Sequence, residues 1–192
     1  MSEKMDRRVR KTRAQLRAGL ARLMYKKNIR EITVTELVDE VDINRSTFYL
    51  HYEDIYQMLE SIEQEIMDEI TTSLEQNPIE PSADSQTQTF IVHIFSYLEE
   101  NREICNALLG PHGDMAFVER TEHLIAETVF SSLSSQFPRT TPELIYTYSF
   151  CLTGLVGMVK AWLAADNPEP PQYMADLTHR LFASITQEII PA

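Results

Sequence analysis

Helix-period spacing of apolar residues runs through nearly the whole chain, and it is the feature that most limits the folds available. Apolar side chains recur at three- and four-residue intervals, while alternating runs bounded by turn signals are missing. Only five glycines interrupt the pattern. The prolines sit in its gaps, at Pro78 and Pro81, Pro111, Pro138 and Pro142, Pro168, Pro170 and Pro171, and Pro191, where a fixed φ and a missing N–H end helices. An all-α fold is therefore expected, with the prolines marking its helix boundaries.

The first helix is predicted over about Arg7 to Lys27, burying Val9, Leu16, Leu20, Leu23 and Met24. The second is short, Val34 to Glu40. Thr33 and Glu36 stand three residues apart and form a capping box at its start. Val34, Leu37, Val38 and Val41 then make one buried stripe on two turns. A turn follows at Asp42 and Ile43, since Asp tolerates left-handed or bridging backbone and Ile43 can fill the angle between helices. Asn44 is a natural N-cap for a third helix from Arg45 to about Tyr52. Glu53 and Asp54 suit the positive start of a longer fourth helix carrying Ile55, Leu59, Ile62, Ile66 and Ile70 and ending at Asn77-Pro78. The polar stretch from Asn77 to about Gln88 reads as a linker. Beyond it, helices are expected at about Thr89–Glu100, Arg102–Leu109, Met115–Gln136, Pro142–Ala165 and Gln172–Ile190.

The net charge of −12 would argue against a nucleic-acid partner if it were evenly spread. It is not. Residues 1–30 hold eleven Lys/Arg against two acids, or +9, whereas residues 61–192 hold five basic and nineteen acidic side chains, or −14. A basic head on an acidic body suits binding a polyanion at one end, although a solvated basic helix on an acidic surface gives the same count. The stretch Phe150–Ala165, interrupted by Thr153 and Lys160, falls short of a bilayer span. The charged N-terminus lacks the apolar segment that secretion needs. No membrane association and a cytoplasmic location are expected.

Cys105 and Cys151 lie in apolar surroundings without CxxC spacing, so buried reduced thiols are the favoured reading. His93, His112, His123 and His179 show no metal-ligand spacing. No Ser/His/Asp order, glycine-rich phosphate loop or paired carboxylate stands out, so neither catalysis nor a cofactor is expected.

Two short helices joined by a tight turn after a longer basic helix is the arrangement in which the second short helix enters the major groove. Arg45 and Ser46, at that helix's exposed start, can reach base edges, and Arg is the commonest specific reader of guanine. Thr47, Tyr49 and His51 offer donors to phosphate oxygens, which fix register without reading sequence. Phe48 and Tyr52 are expected to pack inward, though Tyr49 and His51 could also serve a three-helix core that never meets DNA.

Residues 7–60 resemble the DNA-binding domain of the TetR family of regulators. The resemblance rests on Ile32-Thr33-Val34-Thr35-Glu36-Leu37, on the run from Val41 to Tyr52 with its closing aromatic-Tyr-x-His-aromatic pattern, and on Leu59. It implies an all-helical homodimer, usually a repressor, that leaves a palindromic double-stranded operator when an unidentified small-molecule effector binds the C-terminal domain. By position it makes Thr47 and Tyr49 the phosphate-contacting pair, Arg45, Ser46 and Leu50 base-facing, and His51 a further backbone contact. Thr33, Thr35, Arg7 and Arg8 complete the candidate DNA contacts. Two departures matter: Ile55 stands where the family often has Lys, removing one expected phosphate contact, and Val41 and Asp42 replace small residues before the recognition helix.

The expected organisation is a three-helix helix-turn-helix domain over residues 1–53 and a helical-bundle domain for dimerisation and ligand binding over 54–192. The resemblance pairs the last two helices with their symmetry mates, through Ile145, Leu152, Leu155, Val156, Val159 and Leu163 on one and Met174, Leu177, Leu181, Ile185 and Ile189 on the other. Gly154 and Gly157 could permit close helix approach there, or a kink, or ordinary core packing. Phe90, Ile94, Tyr97, Leu108, Phe117, Tyr146, Phe150 and Trp162 are candidate pocket-lining residues, although core and pocket share this composition. A protein-interaction coactivator on the same scaffold is the competing function.

Overall fold

The computed structural model describes residues 2–77, 84–134 and 142–189. Along them run α1 (Ser2–Met24), a one-turn 3-10 helix (Ile29–Glu31), α2 (Val34–Glu40), α3 (Arg45–Tyr49), α4 (Ile55–Gln76), α5 (Asp84–Glu100), α6 (Arg102–Leu109), α7 (Met115–Ser134), α8 (Pro142–Ala164) and α9 (Pro171–Ile189). No strand occurs among the described residues. The fold is all-α, as the periodicity predicts.

Four boundaries differ from those expected by three residues or more, one of them the end of α1, at Met24 rather than Lys27. α1 begins at Ser2 rather than Arg7, and α5 at Asp84 rather than Thr89. The added turns are polar apart from Met5, and a lone apolar residue leaves no stripe to register. α3 ends at Tyr49 rather than about Tyr52, because the bonds Leu50 N to Thr47 O (3.3 Å) and His51 N to Phe48 O (2.9 Å) tighten its last turn to three-residue spacing. Residues 78–83 of the expected linker, Gln136 and Ile190 lie outside the described residues.

Two compact units share the chain without following its order. One comprises Met1–Ile66 with Arg102–Phe117, the other Met67–Asn101 with Val118–Ala192. In the first, α1 buries Leu16, Leu20, Leu23 and Met24, α2 buries Leu37 and Val38, and Phe48, Ile55, Met58 and Ile62 complete the head's core. Gly19 sets the approach of α1 to α2: a Cβ there would lie 2.3 Å from Val41 Cγ1 and 3.1 Å from Leu37 Cδ1. α6 packs on α1 and buries Ile104, Cys105, Ala107 and Leu108. Burial pushes the Cys105 thiol up to about 12, so it stays protonated and unreactive.

In the second unit α5 packs on α9 and α8 on α9. Phe95 meets Trp162 edge to face at 5.3 Å, and the Trp162 indole N–H donates to the Glu169 carbonyl at 2.7 Å, which satisfies its buried polar edge. Leu163 and Met174, expected between subunits, are buried inside the protomer at 1% and 5% exposure. The outer face of α8 presents Tyr146 and Phe150 at 75% and 70% exposure, and α9 exposes Leu181. Among the described residues, a Cβ on Gly154 or Gly157 would meet nothing within 4 Å.

Candidate nucleic-acid interface

The short helices of the head are specified by their ends. Thr33 Oγ1 accepts from the Glu36 backbone N–H (3.2 Å) while the Glu36 carboxylate accepts from the Thr33 N–H (3.0 Å), closing the box read in the sequence. Lys27 also donates to Glu36. That hydrogen bond, followed by the one from the Thr33 backbone, holds the Glu36 carboxyl down at about 2. Thr33, a candidate DNA contact, thus already uses its hydroxyl in the cap. Thr35 is exposed on the first turn of α2.

α2 ends in a left-handed cap. Asp42 sits at φ 52°, Ile43 N–H bonds back to the Val38 carbonyl at 3.0 Å and Asp42 N–H to that of Asp39 at 3.4 Å, a Schellman arrangement with Asp where glycine is usual. This reverses the chain tightly and presents α3 outward. Asn44 occupies the N-cap of α3 through its backbone carbonyl, which accepts from Thr47 N at 2.8 Å, while its side chain makes no capping bond.

α3 has one inward side. Phe48 is fully buried and packs against the Tyr52 ring at 5.8 Å between centroids; Tyr52 is 5% exposed. Arg45, Ser46, Tyr49 and Leu50 are exposed, and Thr47 and His51 are half-buried. The Arg45 guanidinium donates from Nη2 to the Tyr49 hydroxyl oxygen at 3.1 Å and lies 5.6 Å from the ring centroid. The phenol therefore accepts from a cation and keeps its own proton to donate outward, a geometry suited to a phosphate oxygen. Burial first, and then the charge of Arg13, hold the His51 imidazole below its ordinary value, so it is neutral at neutral pH and offers a single N–H.

The basic head divides into two parts. Arg17 pairs with Glu65 (2.9 Å), Arg22 with Glu40 (2.6 Å) and Lys27 with Glu36, so these cations serve the unit itself. Arg7, Arg8 and Lys11 are exposed on the first half of α1. Arg13, which the sequence reading passed over, lies 5.8 Å from the Tyr52 ring centroid and acts on His51, placing a cation beside the end of α3. Only its position one turn before Arg17 on the same face of α1 hinted at this. Ile55 is core, at 3% exposure, and Asp54 caps α4 by accepting from Gln57 N at 2.8 Å.

Of the eight candidate pocket residues, two belong to the first unit and six to the second. Leu108 and Phe117 are buried and belong to the first unit; Phe90 and Trp162 are buried, and Ile94 and Tyr97 half-buried, in the second. Tyr146 and Phe150 stand on the outer face of α8. Among the described residues no group of three metal-ligating side chains forms, and no helix is long and apolar enough to cross a membrane.

A family model described as a transcriptional regulator C-terminal region matches residues 85–184, more than half of the chain. No curated protein sequence matches. Among solved structures, a TetR transcriptional regulator from Streptococcus agalactiae superposes with a TM-score of 0.57 at 21% identity over 94% of this chain and 98% of its own. The regulator FadR of Bacillus subtilis, solved with stearoyl-CoA, gives 0.62 at 13% identity over 89% and 97%. The dihydroxyacetone kinase operon activator DhaS gives 0.54 at 15% identity over 94% and 98%. At these identities the likeness is one of fold.

Proposed function

This chain belongs to the TetR family of transcriptional regulators, and from that premise we propose that it is a homodimeric, ligand-responsive repressor that holds a palindromic operator through α3 and releases it on binding a small molecule. The observation that carries the reading is the outward side of α3. Arg45, Ser46, Tyr49 and Leu50 are exposed there, on a helix anchored from behind by Phe48. Arg45 and Ser46 are the base readers, with Leu50 beside them; Tyr49, Thr47 and His51 hold phosphates; Arg7, Arg8 and Thr35 add contacts from α1 and α2. On this reading residues 1–53 are the DNA-binding part and 54–192 the dimerising, effector-binding part, and the protein works in the cytoplasm.

A dimer is what a palindrome requires, since two recognition helices must meet major grooves about 34–36 Å apart. The exposed Tyr146, Phe150 and Leu181 on α8 and α9 supply an apolar face for it. The stearoyl-CoA complex of the Bacillus subtilis FadR supports a small-molecule effector for this fold; Phe90, Ile94, Tyr97 and Trp162 are candidates to meet one here. The competing coactivator reading draws on exposed Glu53 and Asp54 and on buried Ile55, which put two acids and no cation at the start of α4, and on a neighbour named as an operon activator.

Fluorescence anisotropy of the purified chain against labelled duplexes tiling the DNA around its own gene, at two salt concentrations, separates the two. Operator binding gives one tight, strongly salt-sensitive tile. Equal weak binding to every tile favours docking to a protein partner.

A further inference from the structure

Each residue of an α-helix is turned about 100° from the last, and α3 with its closing turn sorts its side chains accordingly. Phe48 and Tyr52 face inward. Opposite them, on the crest, stand Ser46 and Leu50. Arg45 and Tyr49 occupy one flank, Thr47 and His51 the other. Leu50 is 81% exposed, the most exposed large apolar side chain among the described residues.

A single exposed leucine on a protein surface ordinarily requires no account. This one stands at the crest of a helix whose flanks carry hydrogen-bonding and cationic groups, with the Arg45 guanidinium held on the Tyr49 hydroxyl. Flanks of that kind suit phosphate and base heteroatoms, and the crest between them is where a helix comes nearest the groove floor. There an apolar side chain has one apolar partner among the four bases, the C5 methyl of thymine. Over any other base edge it would strip water from a polar group without replacing the hydrogen bond, which is unfavourable.

We propose that Leu50 is a specificity-determining residue that packs on the C5 methyl of one thymine in each operator half-site. The proposal rests on the reading of α3 as the recognition helix and goes beyond it in naming the group that Leu50 reads.

The test uses the full chain and a pool of duplexes with a randomised core. The duplex enriched by selection is remade with deoxyuridine in place of each thymine in turn, in both half-sites. Deoxyuridine pairs as thymine does and lacks only the methyl. One thymine per half-site is expected at which the exchange weakens binding by about four-fold, the worth of one methyl-sized apolar contact. Leu50→Ala should bind the thymine and deoxyuridine duplexes alike, with an unchanged Tm because Leu50 contributes little to the core. The comparison is a ratio of affinities, so a general weakening by the variant cancels. Wild-type indifference to every exchange, or full discrimination retained by Leu50→Ala, overturns the proposal. Enrichment of no sequence at all would instead remove the recognition-helix reading beneath it, a distinct result because no duplex would then bind preferentially.

Discussion

α3 and α8 both hold aromatic side chains out to solvent, for different physical reasons. On α3, Tyr49 is 48% exposed and tied to a guanidinium, while the helix is anchored by Phe48, which has no exposed surface. Arg45, Ser46 and Tyr49 are exposed and polar-tipped, with Leu50 as the apolar exception just past the helix end. On α8, Tyr146 and Phe150 stand out at 75% and 70%, on a helix that also carries two glycines with open space around them. On the proposed reading a symmetry mate covers that surface. The first exposure suits a polyanion, the second a symmetry mate, and the two can be separated by what their loss does.

The largest contrast lies between two phenylalanines. Phe48→Ala should lower unfolding stability by about 3–5 kcal/mol, as for other large core truncations, whereas Phe150→Ala should shift the unfolding of the separated protomer by no more than about 0.5 kcal/mol. Denaturant unfolding at low protein concentration checks both; a large loss from Phe150→Ala would place that ring in the protomer core. Next in size is the loss of assembly. Leu181→Glu puts a charge on the exposed side of α9 and should give monomers on size-exclusion with light scattering, and those monomers should lose operator binding. A persistent dimer would mean that another face pairs.

Smaller effects probe the local signals of the head. Thr33→Ala removes the N-cap of α2 and should cost about 1 kcal/mol by thermal unfolding. The smallest is a pH effect at Glu36. Its carboxyl is held near 2 by the hydrogen bond from Lys27 and then by that from the Thr33 backbone, below its ordinary value of 4.5. A group depressed in the folded state stabilises above its unfolded value and loses that contribution as pH falls through the folded one. Glu36→Gln should therefore flatten the acid-side fall of Tm between about pH 4.5 and 2; an unchanged slope would show that the box does not persist in solution.

Legibility in the sequence followed the same division. In the head, the rules that set structure are local, so Thr33 and Glu36, the left-handed Asp42 and inward Phe48 could all be read from neighbours within a few residues. Asn44 was placed correctly, yet its side chain does not cap, because the backbone carbonyl alone satisfies Thr47 N. Arg13 escaped notice because its role depends on α1 lying against Tyr52, a contact 39 positions away along the chain. In the body, one composition serves core, pocket and interface. Leu163 and Tyr146 share a helix and an apolar character, and only tertiary packing sends one inward and the other outward. The start of α5 was missed because Asp84 to Gln88 is polar throughout.

The claim that α3 reads DNA is tested most directly by Arg45→Ala, Tyr49→Phe and the double variant, titrated against the tightest-binding duplex and its single-base changes. Arg45→Ala should flatten preference at one position per half-site, and Tyr49→Phe should weaken binding to matched and mismatched duplexes alike. Because the Arg45 guanidinium rests on the Tyr49 hydroxyl, the double variant should lose less than the sum of the two. Affinity and sequence preference left intact by all three would contradict the account and move the DNA-reading surface, or the function itself, away from this helix.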